Sequence, residues 1–303
     1  MLKFFNETSD LRTEHLTAVI FGEPGIGKTS LANTSKNPLM LDFDTGIQRS
    51  VTRHNFVRID SWEDIVEFQK SKELVNIAPD TIIIDTVGTM LDNFIADYVK
   101  RADPKNARRG GELSLQGYGA MKSVFKQFKD WTNKVNCNLI FVAHATSEDE
   151  GDNKKFIPKL TGGSYDILRQ ETDLIGYMYS YQNRRVIDFT PKDSHIGKDC
   201  ASIGMIDVPE PKEKAYPTFF EDLISRTLKR MNEINDEQKK IITEIEGLRK
   251  IMFEIKSSDD ANNFIETLKG KTKTVQLQCY GELVKHCEKF AQYNKETKLF
   301  ENV

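Results

Sequence analysis

The residues best suited to chemistry form a glycine-rich stretch near the start of the chain. Gly22-Glu-Pro-Gly-Ile-Gly-Lys28-Thr29 has the spacing G-x-x-x-x-G-K-[ST]. Glycines allow backbone N–H groups to line a hollow of anion size, and the helix that follows directs its positive end there. The Lys28 ammonium suits phosphate oxygens, and the Thr29 hydroxyl suits Mg²⁺. The pattern predicts a triphosphate site made of Gly22, Glu23, Pro24, Gly25, Ile26, Gly27, Lys28, Thr29 and Ser30.

Acidic residues end two apolar runs downstream of this stretch. Asp85 ends Thr-Ile-Ile-Ile-Asp85, and Asp42 and Asp44 end Leu-Met-Leu-Asp42-Phe-Asp44. Because ligands bind at the carboxyl edge of such sheets, we expect Asp85 to hold a metal-bound water opposite Thr29. Asp42 and Asp44 point to the same side by strand alternation, and Asp44 is the candidate general base. The alternatives are a helix N-cap for Asp85 and a turn acid for Asp44.

A histidine ends a third apolar run, Asn-Leu-Ile-Phe-Val-Ala-His144. Adjacent parallel strands end at the same edge, so we expect His144 to lie near the γ-phosphate and to signal its presence to the loop that follows. A purely structural histidine is the alternative. The candidate catalytic residues are therefore Lys28, Asp44, Asp85 and His144, with Thr29 and Asp85 at the metal.

The order of strand-like and helical patterns indicates the fold class. Short apolar runs alternate with amphipathic helical patterns, and the runs at residues 82–84 and 139–142 are apolar on both faces, as in buried parallel strands. We therefore predict an α/β class with a doubly wound, mostly parallel sheet over residues 1–220. Strand-like runs stop after residue 219, and helical patterns predict a small helical C-terminal domain over residues 221–303, with helices at 259–268 and 275–293.

The composition is that of a globular protein without a basic field. Hydrophobic residues make up 38% and charged residues 29% of the 303 residues, and the formal net charge is -3. Nucleic-acid contact would therefore have to come from local patches. We find no membrane-length apolar run and no signal-peptide pattern. The four cysteines lack metal-ligand spacing, so we expect free thiols in a reducing cytoplasm and no membrane association.

Two basic segments are candidates for nucleic-acid contact. Residues 100–111 contain a proline and end in two glycines, which predicts a mobile loop that follows phosphates. Residues 148–159 are acidic at first, but their second half interleaves an aromatic ring with lysines, which suits base stacking. A solvated surface loop is the alternative for the first segment. The candidate side chains are Lys100, Arg101, Lys105, Arg108, Arg109, Lys154, Lys155, Phe156 and Lys159.

The order of these motifs resembles the core of the RecA/RadA recombinases. The phosphate loop, Leu-Asp-Phe-Asp44, Ile-Ile-Ile-Asp85 and Leu-Ile-Phe-Val-Ala-His144 follow one another, and Thr161-Gly-Gly is similar to the end of RecA's second DNA-binding loop. The chain is most similar to the short RecA-core ATPases of phage recombination modules, the Sak-four group of single-strand annealing proteins. Gln-Gly-Tyr118-Gly is similar to that group as well, and the resemblance covers residues 14–208.

The resemblance implies an ATPase that uses ATP and Mg²⁺, binds single-stranded DNA and promotes annealing or recombination as a homo-oligomer in the host cytoplasm. Asp44 falls where RecA-like proteins carry their catalytic carboxylate, normally Glu, and His144 falls where RecA has a Gln. Lys192 and Lys198 are candidates for a lysine that reaches the neighbouring subunit's nucleotide. A single-strand-binding protein is a further partner expected from the family.

Three other functions remain open on the sequence alone. A RecA-fold motor or helicase-loader ATPase has the same motifs. A nucleotide-gated scaffold with little turnover is a second possibility, because the Asp44 side chain is shorter than Glu. A nucleotide kinase also shares the phosphate loop, with Arg108 and Arg109 as its lid.

Overall fold

The apolar runs form one central sheet in the computed structural model, which describes residues 12–45, 54–150, 153–294, 296–297 and 299–302. Its strands run in the order β10-β8-β7-β1-β5-β4-β2-β3, with β6 paired to β5 and β9 paired to β7. The strands are β1 (Thr17–Gly22), β2 (Pro38–Asp42), β3 (Asn55–Arg58), β4 (Thr81–Asp85), β5 (Asn138–Glu150), β6 (Asn153–Pro158), β7 (Leu174–Tyr181), β8 (Arg184–Asp188), β9 (Lys198–Asp199) and β10 (Met205–Val208).

The pairing within this sheet is mostly parallel. Strands β7, β1, β5, β4, β2 and β3 are parallel neighbours, whereas β8, β10, β6 and β9 pair antiparallel. This confirms the predicted α/β class. Strand β5 lies between β1, which leads into the phosphate loop, and β4, which ends in Asp85. The carboxyl ends of these parallel strands therefore meet at one edge.

Helices connect the strands and cover both faces of the sheet. They are α1 (Lys28–Ala32), α2 (Trp62–Phe68), α3 (Lys72–Ile77), α4 (Val87–Thr89), α5 (Ala96–Ala102), α6 (Leu115–Lys134), α7 (Gly162–Glu171), α8 (Phe219–Met252), α9 (Ser258–Leu268) and α10 (Lys273–Cys287). A π-helical segment at Met90–Ile95 joins α4 to α5, and a 3-10 turn follows at Pro104–Asn106. Residues 62–77 form two helices rather than one, because Ser71 accepts a hydrogen bond from the Leu74 N–H and caps the second helix.

Two hydrophobic layers hold the sheet between the helices. On one face Phe125 and Phe128 of α6 are buried with Trp62 of α2, and the Phe125 ring lies 5.6 Å from the Phe141 ring of β5. On the other face Leu31 of α1 packs with Phe220, at the start of α8. Burial on both faces explains why the central runs are apolar throughout rather than alternating.

The described residues divide into two compact units, residues 13–231 and the described residues from 232 onwards together with Arg12. The division falls inside α8, which begins next to the predicted domain boundary. The second unit contains the rest of α8, α9, α10 and a hairpin of β11 (Ala291–Asn294) and β12 (Leu299–Asn302). The helix predicted over residues 275–293 is wrong at its end: α10 stops at Cys287, and the hairpin buries Ala291 and Phe300 against the helices. Across the described ranges, every helix is too short or too polar to cross a bilayer.

The segment after β4 is tied to the start of α7 by one carboxylate. Asp92, in the π-helical segment, accepts hydrogen bonds from the Thr161 N–H (3.0 Å), the Thr161 hydroxyl (2.8 Å) and the Ser164 hydroxyl (2.5 Å). Ser164 is fully buried, and Thr161 is the residue at the N-cap of α7. This contact fixes the segment that connects β6 to α7 beside the carboxyl end of β4.

Replacing Asp92 with Ala is expected to destabilise the protein by about 1–3 kcal/mol, since it removes the charged acceptor of a buried hydroxyl. Urea unfolding followed by circular dichroism measures the change. Asp130→Ala, at an exposed position of α6, is the matched control. Equal unfolding midpoints for the two variants would show that the Asp92 contacts contribute nothing to stability.

Candidate functional site

The phosphate loop lies between β1 and α1 and depends on its glycines. Gly25 and Gly27 have φ angles of 81° and 103°, in the left-handed region that favours glycine. A Cβ atom on Gly22 would lie 2.4 Å from the carbonyl oxygen of Met178 on β7. The loop can therefore leave the sheet edge only if these positions carry no side chain.

Lys28 is buried at the first position of α1 and faces back onto the loop. Its Nζ donates to the carbonyl oxygens of Gly22 (2.9 Å) and Glu23 (2.8 Å). Burial lowers the pKa of Lys28 to about 8, although Asp85 and Glu23 favour its charged form. The ammonium remains predominantly charged near pH 7 and can exchange these carbonyls for phosphate oxygens.

Thr29 and Asp85 come together as predicted for a metal site. The Thr29 hydroxyl donates to Oδ2 of Asp85 over 2.7 Å. Burial raises the pKa of Asp85 to about 6; the Thr29 hydroxyl lowers it, and the nearby Asp44 carboxylate raises it further. The pair of oxygen ligands fits Mg²⁺, which is commonly held by one or two protein oxygens, water and substrate phosphates. Within the described residues no group of three or more His, Cys, Asp or Glu side chains is placed to hold a metal alone.

Asp44 lies just beyond β2 and is held by two threonine hydroxyls. Thr86 donates to its Oδ2 over 2.9 Å, and Thr89 donates to its Oδ1. Thr86 follows Asp85 directly and caps α4, and Thr89 is the last residue of that helix. The carboxylate of Asp44 is therefore fixed in orientation beside the metal-site acid. Sequence reasoning missed both threonines, although the pattern Asp85-Thr-Val-Gly-Thr89 contains an N-cap signal.

His144 lies between the phosphate loop and the acids. It pairs in register with Gly22, and its Nε2 is 3.9 Å from Oδ2 of Asp44. Burial lowers the pKa of His144, and the charges of Lys28 and Lys159 lower it further, while Asp44 opposes them. The imidazole is therefore mainly neutral at pH 7, with one nitrogen able to donate and the other to accept.

An open cavity of about 460 Å³ adjoins this cluster. It extends from His144 and the α4 region to the segment that connects β6 to α7. Its lining residues are Thr86, Gly88, Thr89, Asp92, Asn93, His144, Lys159, Leu160 and Thr161. The structure thus brings Lys28, Thr29, Asp44, Asp85 and His144 to one edge of the sheet; their catalytic roles stay predictions.

The predicted loop after His144 is a β-hairpin in the part that the structure describes. Strand β5 does not end before His144 but continues to Glu150 and pairs with β6. Glu148 lies opposite Lys155 and Asp149 opposite Lys154, so the acidic half neutralises the basic half. Cross-strand pairing of opposite charges favours this hairpin over a mobile loop.

Phe156, predicted as a base-stacking ring, is stacked within the protein. Its ring centroid lies 5.1 Å from that of Tyr177 at an angle of 15°. Lys154 and Lys159 are exposed, and Lys155 is partly exposed. Lys154 and Lys155 thus lie opposite acidic residues of β5, and the Phe156 ring is occupied by Tyr177.

The predicted mobile loop at residues 100–111 is an ordered turn. Lys100 and Arg101 belong to α5, and Arg101 is engaged by Glu63 (2.8 Å) and Asp97 (2.7 Å). Buried Asn106 donates to the carbonyl oxygen of Val99 over 2.7 Å, which holds the turn against α5. Exposed cations are placed on this turn at Lys105, Arg108 and Arg109.

Lys192 and Lys198, the candidates for contact with a neighbouring subunit, both have partners within the chain. The Lys192 ammonium lies 2.5 Å from the buried Asp188 carboxylate, yet its side chain is 46% exposed. Lys198 donates to the carbonyl oxygens of Thr172 (2.5 Å) and Arg169 (3.2 Å), at the end of α7. Lys198 thus has a structural role in this chain, and Lys192 is the more accessible of the two.

Replacing Asp85 with Asn is expected to stabilise the metal-free protein at pH 8. At that pH the carboxylate is charged in the folded and the unfolded chain, and only the folded chain bears the cost of its burial. Each pKa unit corresponds to about 1.4 kcal/mol, so a pKa raised from 3.8 to about 6 implies a gain on the order of 3 kcal/mol. The gain should shrink as the pH falls through 6 and vanish below about 4, where Asp85 is protonated in both states.

Thermal unfolding in EDTA across this pH range measures the effect. Asp130→Asn, at an exposed position on α6, is the control and should show no such pH dependence. A destabilised Asp85→Asn protein at pH 8, or a gain independent of pH, would contradict the assigned electrostatics.

Comparison with known proteins agrees with this geometry. Residues 14–201 match a family model described as an AAA domain. No curated protein matches the chain. The match spans more than half of the 303 residues and includes the phosphate loop, Asp44, Asp85 and His144. With its parallel sheet, phosphate loop and adjacent Thr29–Asp85 pair, the chain belongs to the AAA domain family and contains a P-loop NTPase-type domain.

Proposed function

We propose that this protein is a RecA-like ATPase of the phage single-strand annealing type, which uses ATP and Mg²⁺, binds single-stranded DNA and promotes annealing in recombination. The observation that carries the proposal is strand β5. The middle of β5 holds His144 beside the phosphate loop, and its C-terminal half pairs with β6, which carries Lys154 and Lys155. A single strand thus joins the phosphate-loop site to a hairpin that carries exposed lysines.

The residues at the sheet edge support hydrolysis. The Lys28 ammonium can bind phosphate oxygens, and the Asp44 carboxylate, oriented by Thr86 and Thr89, can accept a proton from the attacking water. Neutral His144 can donate a hydrogen bond toward a phosphate oxygen. When Mg²⁺ is bound by Thr29 and by water on Asp85, it neutralises charge on the phosphates.

Contacts at the base of the hairpin support coupling between the nucleotide and DNA. The Lys159 N–H donates to the carbonyl oxygen of His144 over 2.7 Å. A Cβ atom on Gly88, in α4, would lie 3.0 Å from the carbonyl oxygen of Lys159. Because the segment at Lys159 touches both His144 and α4, a change at the γ-phosphate position can shift the hairpin.

The turn at residues 100–111 lies beside the segment that connects β6 to α7. A cavity of about 460 Å³ is lined by Lys100 and Arg108 from the α5–α6 connection and by Thr161 at the start of α7. Lys105 and Arg109 are exposed on the same turn. Cations from two elements near one cavity suit the phosphates of a single strand.

Oligomerisation and a protein partner belong to the same proposal. Lys192, whose side chain is half exposed although its ammonium pairs with Asp188, is a candidate contact to the nucleotide of a neighbouring subunit. This contact requires that the protein forms a homo-oligomer. A single-strand-binding protein is the partner proposed from the resemblance.

Steady-state ATP hydrolysis with and without single-stranded DNA tests the function. We expect stimulation by DNA in the wild type and loss of turnover in Lys28→Ala, because that variant lacks the cation that binds the phosphates. Lys36→Ala is the control, since Lys36 is an exposed lysine paired with Asp80. An ATP hydrolysis rate that is the same with and without single-stranded DNA would favour a kinase. Binding of ATP without turnover would favour a nucleotide-gated scaffold. Translocation along DNA would favour a motor.

Replacing Arg108 and Arg109 with Ala should weaken binding to single-stranded DNA and flatten its salt dependence. Each lost phosphate contact on a single strand changes the slope of log K against log salt by about 0.7, so we expect a change of about 1.4. Fluorescence anisotropy at several salt concentrations measures this slope. The control is Lys126→Ala with Lys134→Ala, which removes the same charge from exposed positions on α6. If both double variants have the same slope, the turn does not contact DNA.

A further inference from the structure

Arg185, on β8, lies against the outer side of the phosphate loop. Its Nη1 donates to the carbonyl oxygen of Ile26 over 3.4 Å. A Cβ atom on Gly27 would lie 2.9 Å from the same nitrogen, so the guanidinium rests directly on this peptide. The side chain is only 20% exposed.

The remaining nitrogens of Arg185 reach the segment after β10. Nη2 donates to the carbonyl oxygen of Pro209 over 3.0 Å, and Nε lies 3.4 Å from Oε1 of Glu210. One planar guanidinium therefore joins the phosphate loop to two residues beyond the edge of the sheet. A lysine ammonium carries the same charge but cannot span three acceptors in this way.

The geometry of an anion-binding loop gives this contact a function. Backbone N–H groups can point into the phosphate hollow only if the neighbouring carbonyl groups point elsewhere and find donors there. Arg185 donates to the carbonyl oxygen of Ile26, and its guanidinium places a positive charge next to Gly27. We propose that Arg185 is a positioning residue that holds the Ile26–Gly27 peptide in its phosphate-binding orientation and thereby sets the affinity for nucleoside di- and triphosphates.

The neighbouring arginine provides a matched control. Arg184 precedes Arg185 on β8, so by strand alternation its side chain leaves the opposite face. It pairs with Asp207 over 2.8 Å, and both of these side chains are more than half exposed. Arg184→Ala therefore removes the same side chain from the same strand without touching the phosphate loop.

The test is the dissociation constants of ADP and of a non-hydrolysable ATP analogue, measured by calorimetry with Mg²⁺. For Arg185→Ala we expect both to rise by about tenfold, the effect of losing one charged hydrogen bond, with Arg185→Lys in between. Arg184→Ala should bind like the wild type. Equal affinities of Arg185→Ala and Arg184→Ala would overturn the proposal.

Kinetics separate positioning of the loop from general damage to the fold. In Arg185→Ala the KM for ATP should rise while kcat is largely kept, because Arg185 contacts neither Asp44 nor His144 in the described structure. Asp44→Asn should show the opposite, a lower kcat at similar KM. A fall in kcat for Arg185→Ala without any rise in KM would contradict the assignment.

Glu210→Gln keeps Arg185 and removes the negative charge that pairs with it. This variant tests the proposal even if Arg185→Ala folds poorly. Nucleotide binding equal to or tighter than in the wild type supports the contact with Ile26 as the operative one. A loss as large as in Arg185→Ala would assign the effect to the Glu210 ion pair and overturn the proposal.

The inference rests on nucleotide binding, the first step of the proposed function, and the two can fail separately. If Lys28→Ala binds nucleotide like the wild type, the proposed function fails. If Lys28→Ala loses binding while Arg185→Ala keeps it, only the role of Arg185 fails.

Discussion

The hydrogen bond from the Thr29 hydroxyl to the Asp85 carboxylate connects the phosphate loop to the acids at the carboxyl edge of the sheet. It joins the first turn of α1 to the end of β4, across the intervening strand β5. A carboxylate so deeply buried is costly unless polar partners compensate for lost water. Thr29 is such a partner in the chain alone, and the same two oxygens are placed to share a cation.

The negative charges at this edge favour the binding of such a cation. Burial raises the pKa of Asp85, and the carboxylates of Asp44 and Asp42 raise it further, whereas the Thr29 hydroxyl and the Lys28 ammonium lower it. A triphosphate would add more negative charge to the same place. Loop N–H groups and the positive end of α1 would offset part of that charge, and a cation held by Thr29 and Asp85 would offset more. The phosphate loop and the acids are thus one electrostatic unit.

Strand β5 gives this unit a mechanical connection to the rest of the domain. His144 lies opposite Gly22 at the sheet edge, and the hairpin beyond it is anchored by Lys159 to His144 and, through Thr161, to Asp92. These contacts are short and involve backbone groups of packed elements. The base of the hairpin is therefore held against the phosphate-loop edge of the sheet by hydrogen bonds to two different elements.

Some features of the protein follow from local sequence. The glycines and Lys28 in the phosphate loop, the apolar strand ending in Asp85, and the α/β class are predictable because local backbone requirements and hydrophobic periodicity determine them. Phe125 and Phe128 are three residues apart on α6, and this helical spacing places both side chains on its buried face.

Other features were decided only by tertiary structure. Asp44 is oriented by Thr86 and Thr89, which are more than 40 positions away along the chain. The segment after His144 looked like a loop because each half alone is highly charged, and only strand pairing places its acids opposite its lysines. Arg185 reaches Ile26 across a sequence separation of 159 residues. Short-range patterns report on backbone geometry and burial, whereas the partners of a polar side chain depend on which strands the sheet makes neighbours, and that is settled only when the whole domain packs.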